Sequence, residues 1–415
     1  MDIPFWGDLI GSRGESSNQF FPEVRKLFEK HGVPVIYSKE YKPKLAQWSE
    51  EEVRSGLDRV FRIILKEEGE FPPGLLEDIK LIPYVAKVKS GEIGVADIPR
   101  KFAEAKALPG FDPASLILLK EAHSFTTGSP SVKIAVLDTG VDFTHPEISH
   151  AMLPGKDFVD IIDGADKFIG DYLGYDSDPA DDVGHGTHVC GILSAKGMKM
   201  AKGVAPACKI IPVRVLGALR RGDSVVGAGL IDNINTGIKW AVDQGADVIN
   251  MSLGIKHEGG GLPHEEVIKY ALSKGVSIVA ASGNDGTRDL YYPGALPGVI
   301  AVGAVDANDQ MAGFSTYGAH VSFVAPGTSI ISSYPGKKYS MSSGTSQASP
   351  YVAGGIALLK SIAAKAGRRL RDHQVKYILK HTADRMDGKF KDIKSGYGRI
   401  NLLDAIKLTK HKLSI

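Results

Sequence analysis

From residue 132 onward the chain alternates short apolar runs with amphipathic stretches, and few folds accommodate that alternation. The runs are Lys133–Leu137, Ile210–Val215, Val248–Ser252, Ser277–Ala281 and Val299–Val302, with helical spacing across 233–243 and 264–274. Strands that are apolar on both faces need a cover on both sides, which a parallel sheet between helices provides. The pattern predicts one α/β domain over 123–409, with a mostly parallel central sheet flanked by helices. With 415 residues the chain can bury a core without staples, and two cysteines, Cys190 and Cys208, make no disulfide framework. A net charge of +2 without a basic block gives no sign of a nucleic-acid partner, and no apolar run reaches the ~20 residues of a membrane span. The N-terminus lacks a basic segment followed by an apolar one. The expectation is a cytoplasmic protein if Met1 is the natural start, and a secreted one if a signal peptide has been removed.

The first 122 residues read differently. Residues 1–32 form an extension, rich in Gly, Ser and Asn up to residue 19 and with a short helix expected over 20–30. Residues 33–122 carry a β-α-β-β-α-β order, the ferredoxin-like split unit. Its expected parts are a strand at 33–38, a helix opened by the capping box Ser49–Glu52, strands at 79–88 and 92–96, a helix over 99–107 and a strand at 115–119. Residues 410–415 are set apart as a tail.

Three segments carry the chemistry. Asp138-Thr139-Gly140 ends the first apolar run, Gly184-His185-Gly186-Thr187-His188 opens a predicted helix, and Gly344-Thr345-Ser346-Gln347-Ala348-Ser349-Pro350 opens another. A serine hydroxyl is a poor nucleophile at neutral pH and needs a base within hydrogen-bond reach. That base needs a carboxylate to hold its tautomer. Strand ends and helix N-termini are where such groups converge in an open α/β sheet. Singly, Asp138 also reads as a strand-end cap, His185 or His188 as a core histidine and Ser346 as an N-cap. The His185/His188 pair lacks the Glu of a zinc motif, and Ala348 stands where an α/β-hydrolase elbow needs glycine.

In the order Asp…His…Ser, residues 120–409 resemble the subtilisin-like serine peptidases, or subtilases. The resemblance rests on Ile134–Asp142, His145-Pro146-Glu147, Gly184–Val189, Ser252-Leu253-Gly254, Ala281-Ser282-Gly283-Asn284, Tyr292-Pro293-Gly294, Gly344–Pro350 and Gly396–Asn401. It implies Asp138, His185 and Ser346 as catalytic triad, and Asn284 with the Ser346 N–H as oxyanion hole. It also implies Ser252–Gly254, Ala281–Gly283 and Tyr291 as substrate-binding residues, with protein or peptide as substrate. No cofactor is required for the chemistry; Ca²⁺ enters as a structural ion, with Asp176, Asp178, Asp181 and Asp182 as candidates beside the alternative of a solvated acidic loop.

Several positions depart from the family pattern. Gln347 replaces an oxidisable Met beside the nucleophile. Tyr291 stands where a small residue commonly floors the S1 pocket, and Asp285 offers a charge near it. The loop 195–200, which in relatives carries calcium ligands, has no carboxylate here. Residues 217–229 look inserted. The N-terminal region resembles the family's propeptide in position and element order, which implies a zymogen. Either the link 121–128 enters the cleft as product, or Leu81-Ile82-Pro83-Tyr84, similar to a segment of intracellular subtilisins, lies across it. The alternative in another class is a non-hydrolytic binding module on the same fold.

Overall fold

The computed structural model describes residues 3–6, 20–66, 70–91, 93–97, 112–159, 168–169, 177–221, 224–257 and 262–415. Seven strands form the central sheet: β4 (Lys133–Asp138), β5 (Lys156–Asp157), β7 (Lys209–Arg214), β10 (Val248–Met251), β12 (Ser277–Ala281), β14 (Ile300–Val305) and β15 (Val321–Pro326). Their order is β15-β14-β12-β10-β4-β7-β5, and every pairing is parallel.

Side chains alternate across the strands, so each strand feeds two cores. Ile134 and Val136 point into one core with Val189, Ile192, Val352 and Ile356. Ala135 and Leu137 point into the other with Ile234, Ile238, Val267 and Ile268. The first layer holds α5 (His185–Ser194), α8 (Thr345–Lys365), α9 (Asp372–Thr382) and α10 (Leu402–Leu413); the second holds α6 (Ile231–Asp243) and α7 (Glu265–Ser273). The predicted parallel α/β architecture is the one observed. Residues 410–413, read as a tail, continue α10 and bury Leu413.

The N-terminal region departs from the expected split unit. Its elements are α1 (Pro22–Lys30), β1 (Val35–Lys39), α2 (Glu50–Ser55), β2 (Phe61–Leu65), α3 (Leu75–Lys80) and β3 (Ile93–Asp97). β1 pairs with β2, antiparallel from Val35↔Leu65 to Lys39↔Phe61, and Lys39 at its end bridges to Phe5. The run from Val53 to Ile64, read as one helix, breaks at Gly56 (φ 84°) and resumes as β2. Residues 79–88, read as a strand, begin inside α3; Leu75 and Ile79 are the buried positions of this helix, at i, i+4 spacing. Residues 115–119, read as a strand, instead close a 3₁₀ turn (Pro113–Ile117) capped by Asp112 and open α4 (Leu119–His123). Both pack into the catalytic core through Ile117, Leu119 and Ala122. The helix expected over 99–107 lies outside the described residues.

The remaining strands close the edges. β8 (Gly217–Arg221) and β9 (Ser224–Leu230) form an antiparallel hairpin from the residues that looked inserted, with β6 (Phe168–Ile169) on its outer edge. The other edge of β9 is taken by β3, antiparallel, from Ile93↔Leu230 to Asp97↔Val226. β11 (Ile255–Lys256) pairs with β13 (Tyr291–Tyr292), and β16 (Ile330–Tyr334) with β17 (Lys338–Ser342).

The N-terminal unit sits on α6 and α7. Tyr41 and Leu57 enter the second core, and Trp6 donates to Asn233 at 3.1 Å. Arg62 binds Glu40 twice, at 2.7 and 2.8 Å, and Asn233 at 2.7 Å, while Thr236 donates to Glu40 at 2.6 Å. Glu52, fixed by its capping box with Ser49, also meets Lys239 at 2.9 Å.

Candidate active site

The site lies beyond the C-terminal ends of β4 and β10, where two helix N-termini converge. β4 ends on Asp138, which is buried together with His185. His185 Nδ1–H donates to Asp138 Oδ1 at 2.6 Å, and the Thr139 N–H donates to the same oxygen at 2.8 Å. The carboxylate accepts from both, which fixes the His185 tautomer with its proton on Nδ1.

α5 begins at His185 because Gly184 turns the chain at φ 105° and Asp181 caps the first turn of the helix. A Cβ on Gly184 would stand 2.1 Å from the Tyr334 ring, so both conformation and space call for glycine. Asp181 accepts from the Val183 and Gly184 N–H groups, the hydroxyls of Thr139 and Thr187, and the Thr187 N–H. Those five donors commit it to the helix end, which removes it as a metal candidate. Asp182 faces Arg214 at 3.4 Å, Asp178 is exposed, and Asp176 lies outside the described residues. Among the described residues no group of three metal-ligating side chains converges. His188 is a core residue: its ring meets the Ser340 carbonyl at 3.1 Å, and burial, then repulsion from His185, pushes its pKa down to about 3. Cys190, on the same helix, is fully buried, and burial pushes its thiol well up, away from reactivity.

α8 presents Ser346 in its first turn, 6% exposed. Pro350 has no N–H to return to the Ser346 carbonyl four residues back. That carbonyl instead accepts the Ser252 hydroxyl at 2.9 Å, while Ser346 Oγ donates to the Ser252 carbonyl at 3.1 Å. Ser252 is itself steadied by Asn250 Nδ2 at 3.0 Å. Asn284 uses its Oδ1 to accept from the Thr345 N–H at 2.8 Å and the Thr345 hydroxyl at 2.9 Å. Because the Thr345 N–H can only donate, the amide oxygen faces it and Nδ2 is turned away from that N–H.

Ala281 ends β12, the Ser282 hydroxyl donates to the Thr316 carbonyl at 2.9 Å, and Gly283 turns at φ 112°. Leu253 is buried, and Gly254 faces the Tyr291 ring. Ser252, Gly283 and Asn284 thus bond to the Thr345–Ser346 turn, Tyr291 lies against Gly254 and Gly283, and Asp138 and His185 hold each other; the acidic tract stands apart. Sequence reasoning missed Thr345, which orients Asn284, and the cap at Asp181; an aspartate three residues before a helix-opening glycine was the available signal for the second.

The loop after α5 does not fit a calcium site of the family kind. Glu147, buried, accepts from the Gly197, Met198 and Lys199 N–H groups at 2.7–3.0 Å. Burial alone would raise its pKa, but the N–H groups of Lys199, Met198 and Gly197 hold it below the ordinary carboxylate value. Amide hydrogens occupy the space that a cation needs.

A family model described as the subtilase family matches residues 129–398. The chain belongs to the subtilase family. It is 42% identical over 287 residues to the thermophilic serine proteinase of Bacillus sp. (strain AK1), covering 69% of this chain and 64% of that protein. The major intracellular serine protease of Bacillus subtilis (strain 168) is 35% identical over 300 residues, covering 70% of this chain and 83% of that protein. Thermitase of Thermoactinomyces vulgaris is 36% identical over 289 residues, covering 69% and 92%. This subtilase thus spans just under two thirds of the length of the first of these relatives. No helix among its described residues is long and apolar enough to cross a membrane.

Proposed function

We propose that this protein is a serine endopeptidase that hydrolyses peptide bonds in proteins through an acyl-enzyme, and that it is made as a zymogen. The observation that carries the reading is the buried 2.6 Å Asp138–His185 pair at the end of β4, next to β10, whose following residue Ser252 holds Ser346. Ser346 Oγ leaves the Ser252 carbonyl, gives its proton to His185 Nε2 and attacks the scissile carbonyl. Asp138 keeps Nδ1 protonated and stabilises the imidazolium. The oxyanion takes hydrogen bonds from Asn284 Nδ2 and from the Ser346 N–H, a first-turn amide without a helical partner. His185 then protonates the leaving amine, and water repeats the sequence to free Ser346.

A substrate backbone would add as a strand to the free edge of β9 and to Ser252–Gly254. In the intact chain β3 takes that edge of β9. This pairing favours Ile93–Asp97, rather than either segment expected from sequence, as the stretch that covers the cleft. Residues 121–128 instead end α4 and tie to the far side of the core, where Ala207 N–H donates to the Thr127 carbonyl. Ile82 packs inside the N-terminal unit and the Tyr84 hydroxyl donates to Glu23.

The test is to incubate wild type and Ser346→Ala and read intact masses together with casein hydrolysis. The reading expects wild type alone to acquire a new N-terminus after Asp97 and before Asp112, and to become caseinolytic. Cleavage of both proteins alike, or an inert wild type freed of its N-terminal region, would overturn it.

A further inference from the structure

The pocket that receives the residue before the scissile bond (P1) is not open in this chain. Its two walls are the segments Ser252–Gly254 and Ala281–Gly283, and each ends on a glycine. Tyr291 bridges them. A Cβ on Gly283 would stand 2.4 Å from Tyr291 Cδ2, and a Cβ on Gly254 would stand 3.2 Å from Tyr291 Cδ1. Opposite edges of one ring therefore touch opposite walls, so the ring stands in the gap that a large P1 side chain would use.

The ring is also pinned. The Tyr291 hydroxyl donates to Asp285 Oδ2 at 2.5 Å. Lys256 Nζ meets Asp285 at 2.5 Å and Asp289 at 2.7 Å, and lies 5.4 Å from the Tyr291 ring centroid. The backbones of Lys256 and Tyr291 are register partners in the β11–β13 pair. Swinging the phenol aside requires breaking its bond to Asp285 and leaving the Lys256 ammonium without its ring. Asp285 is already engaged by both Lys256 and Tyr291, so its charge is compensated by a lysine of the same chain, which weakens the case for a basic P1 group that its charge suggested in the sequence.

We propose that Tyr291 acts as a built-in plug of the S1 pocket and restricts this peptidase to small P1 residues: alanine, serine and glycine. The inference rests on the endopeptidase reading above and adds its substrate class. A P1 methyl group reaches only the rim of the pocket, whereas an aromatic ring or a long cationic chain collides with the phenol.

The experiment uses the matured enzyme on three tetrapeptide p-nitroanilides that differ only at P1, carrying Ala, Phe or Lys. Casein serves as the control for activity as such. Expected is a kcat/KM for Ala at least about tenfold above those for Phe and Lys, the low end of what one methylene is worth in a fitted pocket. In Tyr291→Gly the Phe/Ala ratio rises by at least about tenfold, as the two glycine walls are then separated by open space. A second readout needs no variant: cut sites of wild type in a protein of known sequence should follow Ala, Ser and Gly. Casein cleavage with Phe preferred at P1, or a Phe/Ala ratio unmoved in Tyr291→Gly, overturns this inference and leaves the endopeptidase reading intact. Failure on casein and all three peptides overturns that reading and this inference with it.

Discussion

Ser252 and Ser346 hold each other through two reciprocal hydrogen bonds, the Ser252 hydroxyl to the Ser346 carbonyl at 2.9 Å and the Ser346 hydroxyl to the Ser252 carbonyl at 3.1 Å. The first bond exists because Pro350 cannot compete for the carbonyl. In Ser252→Ala the Ser346 carbonyl is left buried and unsatisfied, at a cost of about 1–3 kcal/mol. Melting of the variant in a Ser346→Ala background should fall accordingly, and kcat of the active form should drop more than KM rises. An unchanged melting temperature would detach Ser252 from the nucleophile's positioning.

Asp138→Asn tests the proton inventory of the triad. The amide can place an N–H opposite His185 Nδ1 and so favour the wrong tautomer while keeping the shape. Turnover should fall by about 10⁴-fold with the fold intact by circular dichroism. A loss under tenfold would mean that the 2.6 Å contact does not set the tautomer.

Asn284→Ala removes one oxyanion donor and leaves the triad whole. The expected cost is on the order of 10²–10³ in kcat, as established for a subtilisin, with KM nearly unmoved. Steady-state kinetics on one p-nitroanilide decides it; a change confined to KM would make Asn284 a ground-state binder.

Glu147 makes an acid-sensitive brace of the loop that follows α5. Its folded pKa lies below the ordinary 4.5, held there by backbone N–H groups against the opposing effect of burial. The stabilisation is therefore complete above 4.5 and is lost as pH falls through the lower folded value. Melting temperatures of Ser346→Ala protein from about pH 6 to about pH 3 should decline, and Glu147→Gln should lower the start and flatten the slope. A Glu147→Gln curve that parallels wild type would assign the acid sensitivity elsewhere.

Glu40→Ala leaves the buried Arg62 guanidinium facing Asn233 without its carboxylate, a loss of roughly 3–5 kcal/mol where such pairs are broken. Docking of the N-terminal unit on α6 should weaken, and caseinolytic activity should appear sooner after expression than in wild type. An unchanged lag would place control of activation outside this contact.

The sheet and the Asp138–His185 pair were legible because they rest on local signals: doubly apolar runs announce parallel strands, and each chemical residue sits in a short motif at an element end. The N-terminal unit was not. Its residues 113–119 contain as many apolar positions as a strand, but their partners, among them the helix α10 some three hundred residues later, select a 3₁₀ turn and helix instead. In the stretch around Gly56 the helical period is broken by one left-handed residue, and Phe61 and Ile64 serve a strand. The plug at Tyr291 lay between these cases. The residue stood out in the sequence, yet which way its ring turned depended on two glycine walls and a lysine from β11.

On the zymogen reading proposed above, β3 on the edge of β9 makes inhibition a matter of tethering. While residues 93–97 belong to the same chain as Ser346, they compete for that edge at the high local concentration of a tethered segment, on the order of millimolar, whatever the amount of protein present. Once the connection is cut, the same strand becomes an ordinary ligand whose hold fades with dilution and with its own digestion. One hydrolytic event would thereby convert a concentration-independent block into a concentration-dependent one, and dilute zymogen would wake more completely than crowded zymogen.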